Sequence, residues 1–282
     1  MLSFYISDKP EPRQGKSSPI QKGLIPRIQG EGADLCGEGL GFGTPILQYR
    51  RDFYFPGSST VTKFENEKVS HWEKVFQFNL IERKQQLSSS NIAAFSWTLP
   101  RLHNLIYKTS PGRQFLKFVA ILSDLLFFRV VRKNFAPQFF IPVKSRGTSR
   151  SRFNLINDDG LLEIEFFFES IDRNHLESIY LANELGGREF TEYFDSTGLH
   201  LVRNQIEPWA KITGRWAVFF ASTLDVGFRV EIPDEIVAYR GREVFEQPEI
   251  FWSGIILKLP ASTTECKYKV RFGALQELLE VE

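Results

Sequence analysis

The sequence predicts an all-β protein, or a β-dominated α+β one: a large antiparallel β-sandwich with a few short helices. Three observations carry that prediction. From about 161 to 272, apolar and polar residues alternate, and Gly, Pro or Asp turns break the alternation roughly every ten residues. The clearest run sets Leu162, Ile164, Phe166 and Phe168 against Glu163, Glu165 and Glu169. Side chains alternate between faces on a strand, so this spacing sends one face into a core and carboxylates into water. The third observation is composition: 27 Phe, 8 Tyr and 5 Trp against a single Met. Aromatic residues suit pleated, half-buried surfaces.

Taken in order, residues 7–30 are rich in Pro, Lys, Gln, Gly and Ser, so 1–30 is expected to be an extended or mobile segment. Residues 31–282 read as one large β domain with a sub-boundary near 145–152. A glycine cluster, Gly37 to Gly43, leads into a strand at 45–49, a tight turn at 50–52 and a strand at 53–55. Pro56, Gly57, Ser58 and Ser59 then read as a closing turn. Residues 75–81 and 91–99 read as strands, with a polar loop at 85–91 between them. Residues 101–140 are apolar almost without interruption, so periodicity leaves strand and helix open; the β-branched and aromatic content favours strands. The basic stretch 145–152 reads as a hinge loop, and 172–187 as a helix capped by Asp172 and stopped by Gly186 and Gly187. A strand through 178–181 competes with that helix. Segments 190–194 and 199–203 flank Asp195-Ser-Thr-Gly198 as a hairpin, with Gly where a positive φ is needed. Strands follow at 216–221, 226–232, 236–239, 242–245, 250–259 and 267–272, and 274–279 reads as a terminal helical turn or two.

The chain has 282 residues, 42% hydrophobic and 24% charged, with a formal net charge of +1. Such a chain buries enough surface to be stable without metal or disulfide. Near-neutral charge gives no general attraction to nucleic acid or to an anionic membrane, and neither is expected as a partner. Residues 115–131 are the most apolar stretch, but Lys117, Asp124 and Arg129 interrupt it, so no membrane span is expected. Residues 1–16 lack an apolar leader, so no signal peptide is expected. Cys36 and Cys266 are the only cysteines, too few for a disulfide framework. A reducing, cytoplasmic location with two free thiols is expected; a single bridge between them is the alternative.

The glycine cluster fails as a phosphate loop. A dinucleotide loop needs G-x-G-x-x-G, and after Gly37 and Gly39 the third glycine is replaced by Phe42. No Gly-Lys-Ser/Thr sequence follows either, so no nucleotide cofactor is expected. The four histidines, His71, His103, His175 and His200, have no ligand spacing, and no metal site is expected. No G-x-S-x-G nucleophile elbow is present.

What remains is a cluster of rings beside polar residues: Tyr49-Arg50, Trp209 after Glu207, Arg215-Trp216, Tyr239-Arg240 and Phe251-Trp252. Most aromatics in a β-protein simply pack a core. Sugar sites use the same groups differently, stacking rings on C–H faces and binding hydroxyls with charged side chains. The expectation is therefore a carbohydrate-binding or carbohydrate-modifying protein. The alternatives are a non-catalytic structural or interaction β-protein and a binder of a small apolar ligand. The expected site comprises His200 and Arg203 as catalytic groups, with Trp209, Arg215 and Trp216 binding ligand. These residues fall in one short stretch that adjacent antiparallel strands could gather. Their facing rests on register. If Leu199 and Leu201 face the core, His200 faces solvent or a concave sheet surface. In architecture alone, a sandwich of this size is similar to the supersandwich folds of sugar mutarotases and polysaccharide lyases.

Overall fold

The computed structural model describes residues 2–11, 20–30, 33–36, 39–50, 52–65, 69–82, 141–156, 160–186, 190–201, 206–246 and 249–280. The expected strand at 91–99, the polar loop before it, the ambiguous segment 101–140 and His103 lie outside the described residues. Among the described residues the elements are β1 (Leu2–Tyr5), β2 (Ile25–Gly30), β3 (Ala33–Cys36), β4 (Gly41–Tyr49), β5 (Asp52–Glu65), β6 (Val69–Glu82), β7 (Ile141–Pro142), β8 (Gly147–Ile156), β9 (Leu161–Ile171), β10 (Leu176–Leu185), β11 (Glu192–Asp195), β12 (Gly198–Leu201), β13 (Ile206–Lys211), β14 (Trp216–Ala221), β15 (Val226–Glu231), β16 (Val237–Glu246), β17 (Glu249–Pro260), β18 (Glu265–Gly273) and one short helix, α1 (Leu275–Leu279).

All pairings are antiparallel, and the protein is an all-β sandwich. A small sheet runs β1-β2-β3. The large sheet runs β12-β11-β14-β15-β18-β9-β8-β6-β5-β4-β10-β17-β16-β13, with β7 added beside β6. The large sheet folds over so that its two halves face each other. Phe42 of β4 meets Phe228 of β15 edge to face at 5.0 Å and Phe272 of β18 at 4.9 Å. Between the halves lies a core that includes Trp72, Phe76, Phe153, Phe166, Leu181, Phe219 and Leu257. Each fully buried Phe there contributes about 1.5–3 kcal/mol over an exposed one.

The sequence pattern explains most of this. On β9 the residues Leu162, Ile164, Phe166 and Phe168 are fully buried while Glu163 and Glu165 point outward, as the alternation requires. The outward row continues in register across four strands as Glu73, Arg152, Glu165 and Lys267. At Gly43 (φ 69°) a Cβ would come 2.8 Å from the Phe153 ring, so the glycine lets β4 approach the opposite half. The glycine cluster thus serves packing here, and Leu40 N–H and Gly43 N–H donate to the buried side chains of Glu184 and Asn183.

Three sequence expectations are corrected. Residues 172–187 are not a helix: β10 occupies Leu176–Leu185, between β4 and β17. Ile179 and Leu181 face the inner core, whereas Tyr180 and Ala182 join a second cluster with Ile20, Ile46, Phe53 and Ile256. A strand buried on both faces loses its alternation and resembles a helix in sequence. The hinge expected at 145–152 is instead β8, paired without a break in chain direction to β6 and β9. The turn expected at Pro56 is a bulge inside the long strand β5, where register against β6 shifts on either side of Pro56. The segment before residue 30 supplies β1 and β2, and Leu2, Phe4 and Ile6 pack against the inner core. Cys266 carries a free, buried thiol.

Candidate functional site

The two ends of the large sheet, β12 and β13, are neighbours in sequence, joined through residues 202–205. The seam between the two halves of the sandwich gathers polar side chains there, where Arg240 of β16 reaches Tyr193 of β11. At its centre is the β11–β12 hairpin. Its two-residue turn pairs Asp195 with Gly198 (φ 112°), so Tyr193 stands opposite His200 and Phe194 opposite Leu199. Tyr193, Asp195 and His200 share the inner face. Leu199 and Leu201 lie on the outer face, 53% and 54% exposed. This reverses the case in which the two leucines face the core.

Asp195 is only 7% exposed and is saturated with donors. Its Oδ2 accepts from the Tyr193 hydroxyl at 2.9 Å. Its Oδ1 accepts from Thr197 N–H at 2.8 Å and from the Thr197 hydroxyl at 2.6 Å, with His200 Nε2 at 3.4 Å. Burial opposes the carboxylate's charge, but the hydrogen bonds from Thr197, Tyr193 and His200 outweigh it and hold Asp195 below the usual carboxylate range. Burial, then the bond to Asp195, pushes the Tyr193 hydroxyl far up, so it stays a donor. The His200 side chain is 40% exposed, with Nε2 also 2.8 Å from Thr197 Oγ1. Nε2 is thus engaged within the cluster. From the other half of the sheet, Arg240 of β16 places its guanidinium 4.3 Å from the centre of the Tyr193 ring. That contact bridges the seam.

Beside this cluster lies an open cleft of about 520 Å³, lined by the β13–β14 and β15–β16 connections. Lys211, Thr213, Arg215 and Glu235 supply its polar groups, and Ile212, Ile236 and Val237 its apolar wall. Ser196 of the hairpin turn donates to the Thr213 carbonyl at 2.9 Å, which joins the cleft to the cluster. Gly214 (φ 94°) makes that approach feasible, since a Cβ there would lie 2.3 Å from Ser196 Oγ.

The expected site residues divide. His200 lies in the seam. Arg215 lines the cleft, where it pairs with Asp234 at 2.9 Å and donates to the Pro233 carbonyl at 3.1 Å. Trp216 is on the outer face, packed with Val218, Phe220 and Leu278 under Arg229, and so does not face His200. Arg203 lies outside the described residues. Trp209 belongs to β13, but its side chain also lies outside them. Tyr193, Asp195, Thr197 and Arg240 are the seam residues that sequence reasoning did not gather. The signal was present: a two-residue turn at Ser196-Thr197 puts position 193 opposite 200 and brings Asp195 within reach of the imidazole. Among the described residues no three His, Cys, Asp or Glu side chains are grouped to hold a metal. Nor is any helix among them long and apolar enough to cross a membrane.

No protein-family model matches the chain, and no curated protein matches its sequence. Solved structures do match the fold. The alpha-N-acetylgalactosaminidase of Bifidobacterium bifidum in complex with GalNAc superposes with a TM-score of 0.51 at 7% identity, covering 97% of this chain. Its complex with Gal-NHAc-DNJ gives 0.50 at 7% identity over the same share. A glycosyl hydrolase family 38 protein from Enterococcus faecalis gives 0.43 at 10% identity, covering 98% of this chain. The chain spans about a third of the length of these proteins, between 32% and 35%. The class defined is an all-β sandwich, a fold that recurs as part of these longer chains. At such identities the likeness concerns the fold.

Proposed function

We propose that the protein is a carbohydrate-binding β-sandwich, of supersandwich type, which takes a sugar at the seam and the adjoining cleft. The observation that carries this reading is the polar cluster of Tyr193, Asp195, Thr197, His200 and Arg240, built where the sheet's two edges meet and open beside the cleft. The cleft offers charged and hydroxyl groups over an apolar wall, the combination that fixes hydroxyls and covers C–H faces. The fold likeness to glycosidase chains supports the same reading. Arg203 and Trp209 flank the seam in sequence, and we assign them as a further ligand cation and the stacking ring. Arg215 is assigned to the cleft.

Binding fits the chemistry better than glycoside cleavage. Glycosidases typically use two carboxyl groups, one of them protonated to act as acid. Asp195 is held ionised by its donors, so it cannot serve as that acid. A second reading, carbohydrate modification with His200 as base, is favoured by one contact: Asp195 fixes Nε2 and orients the ring. The two cysteines, without a framework, accord with a cytoplasmic setting.

Glycan-array screening followed by calorimetric titration tests the proposal. His200→Ala and Arg215→Ala should each weaken binding about tenfold without lowering the melting temperature appreciably. Absence of any glycan ligand, with the protein folded, would overturn it.

A further inference from the structure

The seam holds a cation that pairs with no acid among the described residues. Arg240 is half-buried, lies over the Tyr193 ring, and makes no ion pair among the described residues. Other arginines have found partners: Arg146 pairs with Asp172, Arg152 with Glu73 and Arg215 with Asp234, while Arg173 donates to the carbonyls of Phe168 and Thr263. Asp195, which accepts from the Tyr193 hydroxyl, has both oxygens occupied by Tyr193, Thr197 and His200. Besides its ring contact, Arg240 hydrogen-bonds the Tyr193 side chain, which leaves further N–H donors of the fork for an anion. The guanidinium also presents its donors in a planar fork that matches an oxyanion bidentately. A ring beneath it fixes the plane and reduces the ordering cost of binding.

We propose that the sugar taken at the seam is an acidic one, and that Arg240 holds its anionic group. This rests on the carbohydrate reading above and narrows it to a substrate class. The saccharide carries a carboxylate or a sulfate. Its anion meets the Arg240 fork. Tyr193 acts as the platform for Arg240 and, through Asp195, as the positioning group for His200.

The experiment uses the full chain and titrates trigalacturonate, its methyl ester, a sulfated disaccharide and a neutral disaccharide at low and at high salt. Trigalacturonate should bind at least about tenfold more tightly than its methyl ester, with the preference shrinking in high salt. Arg240→Gln should abolish the preference, so that trigalacturonate binds no more tightly than its methyl ester. Arg240→Lys should restore only part of it, since an ammonium lacks the fork. If the sulfated disaccharide is preferred, and that preference is lost in Arg240→Gln, the anion is a sulfate and the assignment of Arg240 stands. If neutral and acidic sugars bind equally, or Arg240→Gln keeps the preference while its melting temperature is normal, the inference is wrong and the carbohydrate reading survives. If no sugar binds at all, the carbohydrate reading fails and the inference with it.

Discussion

Tyr193 and His200 stand directly opposite each other across the β11–β12 hairpin, ring centres 5.5 Å apart, and both reach the same carboxylate. Asp195 therefore ties a buried phenol and a half-exposed imidazole into one unit. The arrangement is local: four residues of one hairpin, Tyr193, Asp195, Thr197 and His200, supply everything except Arg240. The hairpin lies at the end of the sheet order, where among the described strands β14 alone pairs with it.

Asp195→Ala should therefore destabilise the protein by about 1–3 kcal/mol, because the buried Tyr193 hydroxyl loses its acceptor and Thr197 loses its turn bonds. Asp195→Asn should cost less. The pH dependence has a defined sign. The carboxyl of folded Asp195 lies below its unfolded value, so its stabilisation is present above the unfolded pKa and is lost as pH falls towards and through the folded one. Urea unfolding at pH 7 and at pH 3 measures both effects. Equal acid sensitivity in the wild type and Asp195→Asn would contradict the assignment.

The charged row on the outer face offers a second test. Glu165 lies 3.0 Å from Lys267 and 4.0 Å from Arg152, and Arg152 reaches Glu73 at 3.5 Å. Single exposed pairs contribute ~0–1 kcal/mol, whereas networks contribute more because shared side chains are already ordered. Glu165→Gln should cost about 0.5–1 kcal/mol at low salt, and less in 1 M salt as screening grows. A loss independent of salt would assign the effect to packing on Phe167, over which Arg150 and Arg152 also lie.

Trp216 separates core from site. Its ring packs against Val218, Phe220 and Leu278 on the outer face and lies under the Arg229 guanidinium at 4.8 Å. Trp216→Ala should lower stability by ~2 kcal/mol, since the ring is only partly buried, and leave glycan binding unchanged. Thermal melts and one titration decide it. Lost binding with full stability would return Trp216 to the ligand site.

These residues show which parts of the structure the sequence exposes. Where one face meets water, as on β9 and β18, alternation reports the fold directly. Where both faces are buried, as on β10, Ile179, Tyr180, Leu181 and Ala182 are apolar in succession and the period vanishes. The site was half legible for a related reason. Hairpin register can be read from turn length, so the Tyr193–His200 pair was within reach. Arg240 meets Tyr193 only because the sheet folds over, and no local pattern encodes contacts between strands at opposite ends of the sheet order. Trp216 and Arg215 are adjacent in sequence yet differ in role, because β14 begins between them and fixes the facing of one alone.

The last prediction concerns Lys74, which alternates with Trp72 and Phe76 on β6 and so points into the sandwich, fully buried. Its ammonium lies 5.1 Å from the Phe76 ring and donates to the Ser7 carbonyl at 2.9 Å and the Lys22 carbonyl at 2.7 Å. Both acceptors belong to the N-terminal segment, so Lys74 fastens that segment to the sheet. Desolvation lowers its pKa to about 7, against a smaller opposing pull from Glu11 and Asp8. The folded state thus binds fewer protons than the unfolded state between pH 7 and the unfolded value of 10.5. Stability contributed by this site rises with pH across that window, and the penalty is complete below it. The full span is on the order of 5 kcal/mol. Lys74→Met removes the titration while leaving two carbonyls without their donor. Chemical unfolding should show the wild type gaining stability from pH 6.5 to pH 9 relative to Lys74→Met. Parallel pH profiles for the two proteins would mean that Lys74 is solvated, with the N-terminal segment not seated on it.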